Sequence, residues 1–295
     1  MSKAELLTPV ELGDLPAALA RMTPRSRLLA GGTDLVNAMR RGECRPDLIV
    51  DLSGVRELAA VRLDDGVLRV GAMATFSQLQ TDPVVRQCAA CLAQAAAQVG
   101  STQIRNIATV GGNVANASPC GDSIPALMAL NARVTILDGD GRTSSRPIRD
   151  VVVGPSATSL VPGEVITDFT LAPPRPHERS VFVKIGSRSA VTVARLSAAV
   201  VVAYDPAAGT LSAARVALGA VGDTAFRDAT VEASLEGRPA NEATARRFAE
   251  ACADAVCASI PGRYSLPYKR HAAVGLAYDA WNGLAVSPAC EPVWD

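Results

Sequence analysis

The hydrophobic pattern changes period several times along the chain, and each change predicts an element. Near the start, "ELGDLPAALARM" reads as a helix with Pro16 in its first turn. "RSRLLA" reads as a short strand, "DLVNAMRRG" as a helix and "PDLIVDLS" as a buried strand. Strand, helix and strand joined by short links predict a parallel crossover unit within residues 1–55.

Residues 56–175 form a second segment. "GVLRVGAMAT" alternates as a strand does, and "FSQLQTDPVVRQCAACLAQAAAQVG" reads as one largely helical run. A helix "SIPALMALNA" follows, then "RVTILDGDGR", whose Asp-Gly pairs favour a tight turn, then the strand "EVITDFTL". "APPRPHERS" has the composition of a linker. Beyond it the pattern is different. "VFVKIGSR", "LSAAVVVAYD" and "TLSAARVALGAV" predict antiparallel strands, the last two joined by a "DPAAG" turn. "ANEATARRFAEACADAVCA" and "YKRHAAVGLAYDAWNGL" predict amphipathic helices. The sum is an α+β chain in three parts, 1–55, 56–175 and 181–295, with no repeat of fixed period.

Two places interrupt this pattern with adjacent glycines. In "LLAGGTDLVNAMR", Gly31 and Gly32 stand between a strand and a helix that begins near Thr33 and Asp34. Glycine lets backbone approach a ligand and makes successive amides converge, while the helix start adds free N–H groups and positive potential. Pyrophosphate is the guest this arrangement suits; an ordinary strand-to-helix turn would look the same. In "NIATVGGNVANASPCGD", Gly111 and Gly112 repeat the feature, and Thr109, Asn113, Ser118 and Asp122 add hydroxyls, an amide and a carboxylate. That mixture suits a pyrophosphate joined to a polyol chain. Asp122 also reads as a cap for the helix after it. Neither motif has GxGxxG spacing, which argues against a Rossmann site.

Composition narrows the chemistry. The 295 residues carry a formal net charge of +0, and aromatics make up 4%, a poor basis for neutralising phosphate backbones or stacking bases. The N-terminus has no signal-peptide pattern, and the longest apolar run, "LSAAVVVAY", is too short to span a bilayer. Seven scattered cysteines without an export signal predict reduced thiols in the cytoplasm. Cys88 and Cys91 have Cys-x-x-Cys spacing, but no second pair exists to complete a zinc or iron–sulfur site, and the run around them predicts a buried helix. His177 and His271 lie far from both glycine motifs, so a Ser-His-Asp site or a histidine zinc site has little support. Lys184, in the first strand after the linker, is either solvated surface or within reach of a ligand lodged between domains.

With both motifs in view, the chain resembles the FAD-binding medium subunits of the molybdenum hydroxylases, the family of xanthine, carbon monoxide and nicotinate dehydrogenases. The likeness rests on "AGGTDL", on "TVGGNVANASPCGD" and on an FAD domain followed by a smaller α+β domain. It implies a two-subdomain FAD-binding fold of the PCMH type followed by a C-terminal α+β domain with an antiparallel sheet. It implies that Leu28, Leu29, Ala30, Gly31, Gly32, Thr33, Asp34 and Leu35 wrap the FAD diphosphate. Thr109, Val110, Gly111, Gly112 and Asn113 would form a second cradle, and Asp122 would hydrogen-bond the flavin chain. Val99 or Gly100, Ile166 and Lys184 would touch the flavin; Val99 is aliphatic where relatives can be aromatic. With no histidine in either motif, non-covalent FAD is expected.

The resemblance further implies partner chains: a small subunit with two-iron two-sulfur clusters and a large molybdopterin subunit, assembled as a dimer of heterotrimers. Electrons would leave to a final acceptor that is NAD, oxygen, a quinone or a carrier protein. Two rival readings remain at this point, a self-sufficient FAD oxidoreductase of the same fold and a non-catalytic nucleotide-binding scaffold subunit.

Overall fold

In the computed structural model, residues 4–172 and 174–284 are described. Cys290, Pro173 and the ends of the first and last predicted segments lie outside them.

Strand β1 (Glu5–Leu7), helix α1 (Leu15–Leu19), β2 (Arg27–Leu29), α2 (Leu35–Arg40) and β3 (Leu48–Asp51) make the first layer. The sheet is parallel, in the order β1-β3-β2, so β2, α2 and β3 form the predicted crossover. β1 is an addition to the expected plan. Leu15 and Leu19 of α1 pack on Leu48, Val50 and Leu52 to close one face.

The next sheet begins with β4 (Val61–Asp64) and β5 (Val67–Gly71). Helices α3 (Phe76–Thr81), α4 (Pro83–Cys88) and α5 (Ala90–Ala97) follow, where the hydrophobic pattern predicts one run. The break is built from Asp82 and Pro83: the Asp82 carboxylate accepts from the N–H groups of Val84 and Val85, and proline occupies the first helical position. A second break at Ala89 separates Cys88 from Cys91. Cys91 is buried, and desolvation pushes its thiol up to about 12, a packing residue with no thiolate to offer.

After α6 (Thr102–Arg105), α7 (Val110–Asn116) and α8 (Ser123–Ala129) come β6 (Arg133–Leu137), β7 (Thr143–Pro147), α9 (Ile148–Val151) and the small hairpin of β8 (Val152–Gly154) and β9 (Ala157–Thr158). The Asp-Gly turn between β6 and β7 forms as predicted, with Gly141 at φ +78°. β10 (Val165–Leu171) lies in the middle of a five-stranded antiparallel sheet, order β4-β5-β10-β6-β7.

The third sheet is β11 (Glu178–Ile185), β12 (Leu196–Asp205), β13 (Thr210–Gly219) and β14 (Phe226–Arg227), antiparallel and in chain order. β11 begins inside the segment whose composition suggests a linker. The uninterrupted apolar run of β12 has a direct cause. Ala198, Val200 and Val202 face helices α11 (Glu242–Ser259) and α12 (Leu266–Leu284), which follow the short α10 (Ala229–Ala233). Ala199 and Val201, on the other face, join the core of the middle layer with Phe182 and Ala217. A strand buried on both sides has no solvent face to mark with polar residues.

Candidate functional site

A cleft of about 1390 Å³ exceeds the size of an ordinary small-molecule pocket and is lined by both glycine motifs. The first motif is the loop between β2 and α2. Gly31 has no room for a side chain: a Cβ there would lie 2.0 Å from the Ile107 carbonyl oxygen. Gly32 turns the loop at φ +69°, a conformation that costs other residues strain. From Gly31 to Leu35 the N–H groups meet no protein acceptor among the described residues. Successive unpaired amides beside a cleft are an anion-binding surface.

The second motif is built differently. No strand precedes it; residues 108 and 109 make only a bridge, Thr75 to Thr109, and the glycines lie within the first turn of α7. Its amides are spent inside the protein. Val110 N–H donates to Ala74 O at 3.0 Å, Gly111 to Ala72 O at 2.8 Å, Gly112 to Thr109 Oγ1 at 3.1 Å, and Asn113 to Thr109 O at 3.0 Å. A Cβ on Gly111 would strike Ala72, and one on Gly112 would lie 3.6 Å from Ala30. Gly111 therefore lets α7 pack on Ala72, Gly31 lets the first motif cross Ile107 and Ala108 ahead of the second, and the second motif's polar offering to the cleft is side-chain chemistry.

Of the residues the sequence nominates, Leu28, Ala30, Gly31, Gly32, Thr33, Asp34, Leu35, Val99, Thr109, Gly111, Gly112, Asn113 and Ile166 line this cleft. Leu29 faces a separate apolar hollow with Leu6, Val36 and Ile49. Gly100, Val110, Asp122 and Lys184 do not line it. Lys184 is not solvated: its side chain is 3% exposed, and Nζ donates to Asp122 Oδ2 at 2.6 Å and to Gln98 O at 3.0 Å. Asp122 stands at the N-cap position of α8 but caps no amide, so its cap role is overturned. Its Oδ1 is buried without a partner. Burial raises the Asp122 carboxyl to about 6, against the pull of Lys184. Asn113 Oδ1 accepts from Ser123 Oγ at 2.7 Å, linking this region to the cleft wall.

Sequence reasoning missed Arg25, Arg27, Arg41 and Arg45, which join the cleft lining around the first motif. Their signal was present in "PRSRL" and "RRGECR", the charged flanks of that motif. Ile104 adds apolar surface. Neither histidine lines the cleft. Among the described residues no group of His, Cys, Asp or Glu could hold a metal ion, and no helix is long and apolar enough to cross a membrane.

A cleft of this size, walled by free amides, arginines and apolar side chains, suits a large phosphorylated cofactor held between two sheets. Residues 2–174 match the FAD binding domain in molybdopterin dehydrogenase, and residues 182–284 match the CO dehydrogenase flavoprotein C-terminal domain. The chain belongs to the FAD-subunit family of the molybdenum hydroxylases, an oxidoreductase family. It is 29% identical over 252 residues to the nicotinate dehydrogenase FAD-subunit of Eubacterium barkeri, covering 84% of each chain. It is 30% identical over 250 residues to the xanthine dehydrogenase FAD-binding subunit of Escherichia coli, covering 84% of this chain and 85% of that one. Among solved structures, a chain of the carbon monoxide dehydrogenase from Hydrogenophaga pseudoflava superposes with a TM-score of 0.87 at 26% identity, over 96% of this chain and 97% of that one. Relatives include medium chains and subunits of multi-subunit dehydrogenase complexes.

Proposed function

We propose that the chain is the flavin-bearing electron-transfer subunit of a molybdenum-containing dehydrogenase. It takes electrons from two-iron two-sulfur clusters on a small partner chain and passes them to NAD, oxygen, a quinone or a carrier protein. A large molybdopterin chain completes the unit, assembled as a dimer of heterotrimers in the cytoplasm. The observation that carries this reading is the run of free amides, Gly31 to Leu35, on a cleft large enough for FAD.

When bound, FAD supplies the redox chemistry, and the protein supplies binding, orientation and electrostatics. The amides of residues 31–35 would hold the diphosphate, and Arg27 and Arg45 add positive potential on the same wall, where Arg41 is paired with Glu43. Val99, Ile104 and Ile166 present apolar surface for a flat ring and exclude water from it. Asn113 orients the polyol chain. Asp122 Oδ1, buried and unpartnered next to the Ser123 that bonds cleft-lining Asn113, would accept a hydroxyl of the polyol chain, with Lys184 holding the other oxygen. No histidine stands at the cleft to form a covalent flavin link, so the cofactor is held by these contacts alone.

Purified alone, the chain should be yellow, with flavin absorption bands and no iron or molybdenum by metal analysis. Substrate oxidation should appear only after both partner chains are added back. Turnover of substrate by the metal-free chain would overturn the subunit reading in favour of a self-sufficient flavoenzyme.

A further inference from the structure

The segment between α5 and the second glycine motif serves the cleft at both of its ends. Val99 and Ile104 line the cleft, and further along the Ile107 carbonyl occupies the place of a Cβ on Gly31. The start of this segment turns its carbonyls away from backbone donors. Leaving α5, the carbonyls of Gln98, Val99 and Gly100 meet no backbone N–H among the described residues. Two cationic side chains take them instead. Lys184 Nζ donates to Gln98 O at 3.0 Å, and Arg105 Nη1 donates to Val99 O and Gly100 O, each at 3.2 Å. A helix end leaves carbonyls unsatisfied and favours positive charge beside them.

The two cations differ in what else they meet. Lys184 is paired with Asp122. The hydrogen bonds of Arg105 go to uncharged groups, the two carbonyls and Thr102 Oγ1 at 3.1 Å, and its Nε is buried without a partner among the described residues. A planar guanidinium fork grips two carbonyls with less loss of freedom than an ammonium on a flexible stem. Gly100 serves the same turn. It sits at φ +44°, and a Cβ there would lie 3.1 Å from Ile104 Cγ2, so its bare backbone lets Ile104 pack down on the turn that Arg105 holds. The far end is anchored separately: Ala108 N–H donates to Ile104 O at 2.7 Å, and Phe76 N–H to Ala108 O at 3.1 Å.

We propose that Arg105 is a positioning residue for the flavin ring and raises its reduction potential. It fixes the turn at Val99 and Gly100, so that Val99 and Ile104 form a preformed wall, and it holds a positive charge without a carboxylate partner directly behind that wall. Two electrons and one proton added to a neutral flavin ring leave one negative charge on it, which this cation stabilises. The proposal rests on the flavin reading above and adds which side chain orders the ring's wall and tunes it.

The test compares Arg105→Met, Arg105→Lys and Thr102→Val with wild type in the full chain. Riboflavin binding to apoprotein reads the ring wall, and adenosine diphosphate binding reads the amides of residues 31–35. The midpoint potential of the FAD-loaded chain is read by dithionite titration. Arg105→Met should weaken riboflavin roughly tenfold or more, the scale of losing hydrogen bonds from a charged donor. Its midpoint should move to more negative values by about 30 mV or more, a tenfold change in a two-electron equilibrium. Its affinity for adenosine diphosphate should stay at the wild-type level, because the far end of the segment has its own anchors. Arg105→Lys keeps the charge and loses the fork, so riboflavin binding should fall while the midpoint stays. Thr102→Val removes one contact of the guanidinium at an exposed position and should weaken riboflavin severalfold; with Arg105→Lys it carries the test if Arg105→Met does not fold. Wild-type riboflavin affinity in all folded variants would overturn the proposal. So would an unchanged midpoint in Arg105→Met, or equal losses of riboflavin and adenosine diphosphate, which would reduce Arg105 to a general role in folding. A wild-type apoprotein that binds neither probe would defeat the flavin reading instead.

Discussion

The two glycine motifs look alike in sequence and do different work in the fold. At Gly31 to Leu35 the backbone amides are free and face the cleft; at Val110 to Asn113 every amide is bonded within the protein. Gly31 and Gly111 both lack a side chain because protein backbone, not ligand, crosses where a Cβ would be: Ile107 in one case and Ala72 in the other. The lesson is that a paired glycine reports close approach without saying what approaches. Only the fate of the neighbouring N–H groups separates an anion cradle from a packing joint.

The largest effect should come where the first motif crosses the backbone before the second. Gly31→Val would drive a branched side chain into the Ile107 carbonyl, 2.0 Å from the ideal Cβ. Overpacking against backbone costs about 1–3 kcal/mol or more, so the melting temperature should fall steeply even without cofactor. An unchanged melting temperature would show that the motifs do not pack as described. Gly112→Val comes next and acts on the ligand. Its Cβ would meet Thr109 Oγ1 at 2.9 Å and lies at the cleft surface. The folded variant should lose FAD on gel filtration. Stoichiometric retention by a folded Gly112→Val protein would remove the second motif from the site.

Asp122→Ala should weaken FAD by roughly 1.5–3 kcal/mol, the range for a hydrogen bond to a charged group. Titration of FAD into apoprotein reads this directly, and equal affinities would confine Asp122 to its pair with Lys184. Asn113→Ala tests the side-chain role of the second motif. Its loss should be about 0.5–1.5 kcal/mol, that of a neutral hydrogen bond, and similar for FAD and riboflavin. A loss confined to FAD would mean that the second motif, too, grips the diphosphate.

A separate effect is one of pH. The folded Asp122 carboxyl, at about 6, binds its proton more readily than the unfolded one, whose ordinary value is 3.8. Burial of the ionised form therefore opposes folding above pH 6, and this opposition fades as the pH falls from 6 towards 4. Relative to Asp122→Asn, the wild type should gain stability across that interval in denaturant titrations. A constant difference would show that Asp122 titrates normally.

Much of this was legible in the residues themselves. The β2–α2–β3 crossover, the Asp-Gly turn before β7 and the antiparallel third sheet follow from local pattern, because period and turn chemistry are short-range properties. The same local evidence contained the Asp82-Pro83 helix break, which a hydrophobic run of uniform composition obscured. The arginines around the first motif were visible as a charged flank, but their place on a cleft wall was not.

The sequence by itself determined the principal strands and helices, the α+β plan and, through two short motifs, the family and its cofactor. Tertiary structure alone decided how those motifs are used. It spent the amides of one and left the other's free, and it drew Lys184 out of solvent onto Asp122, 62 residues away. It also buried β12 on both faces, so that the third sheet shares a core with the FAD-binding part. The reason is physical: hydrogen-bond partners, close approach and burial are relations between residues distant in the chain. Periodicity carries no information about which distant backbone will cross a glycine or which carboxylate will meet a lysine.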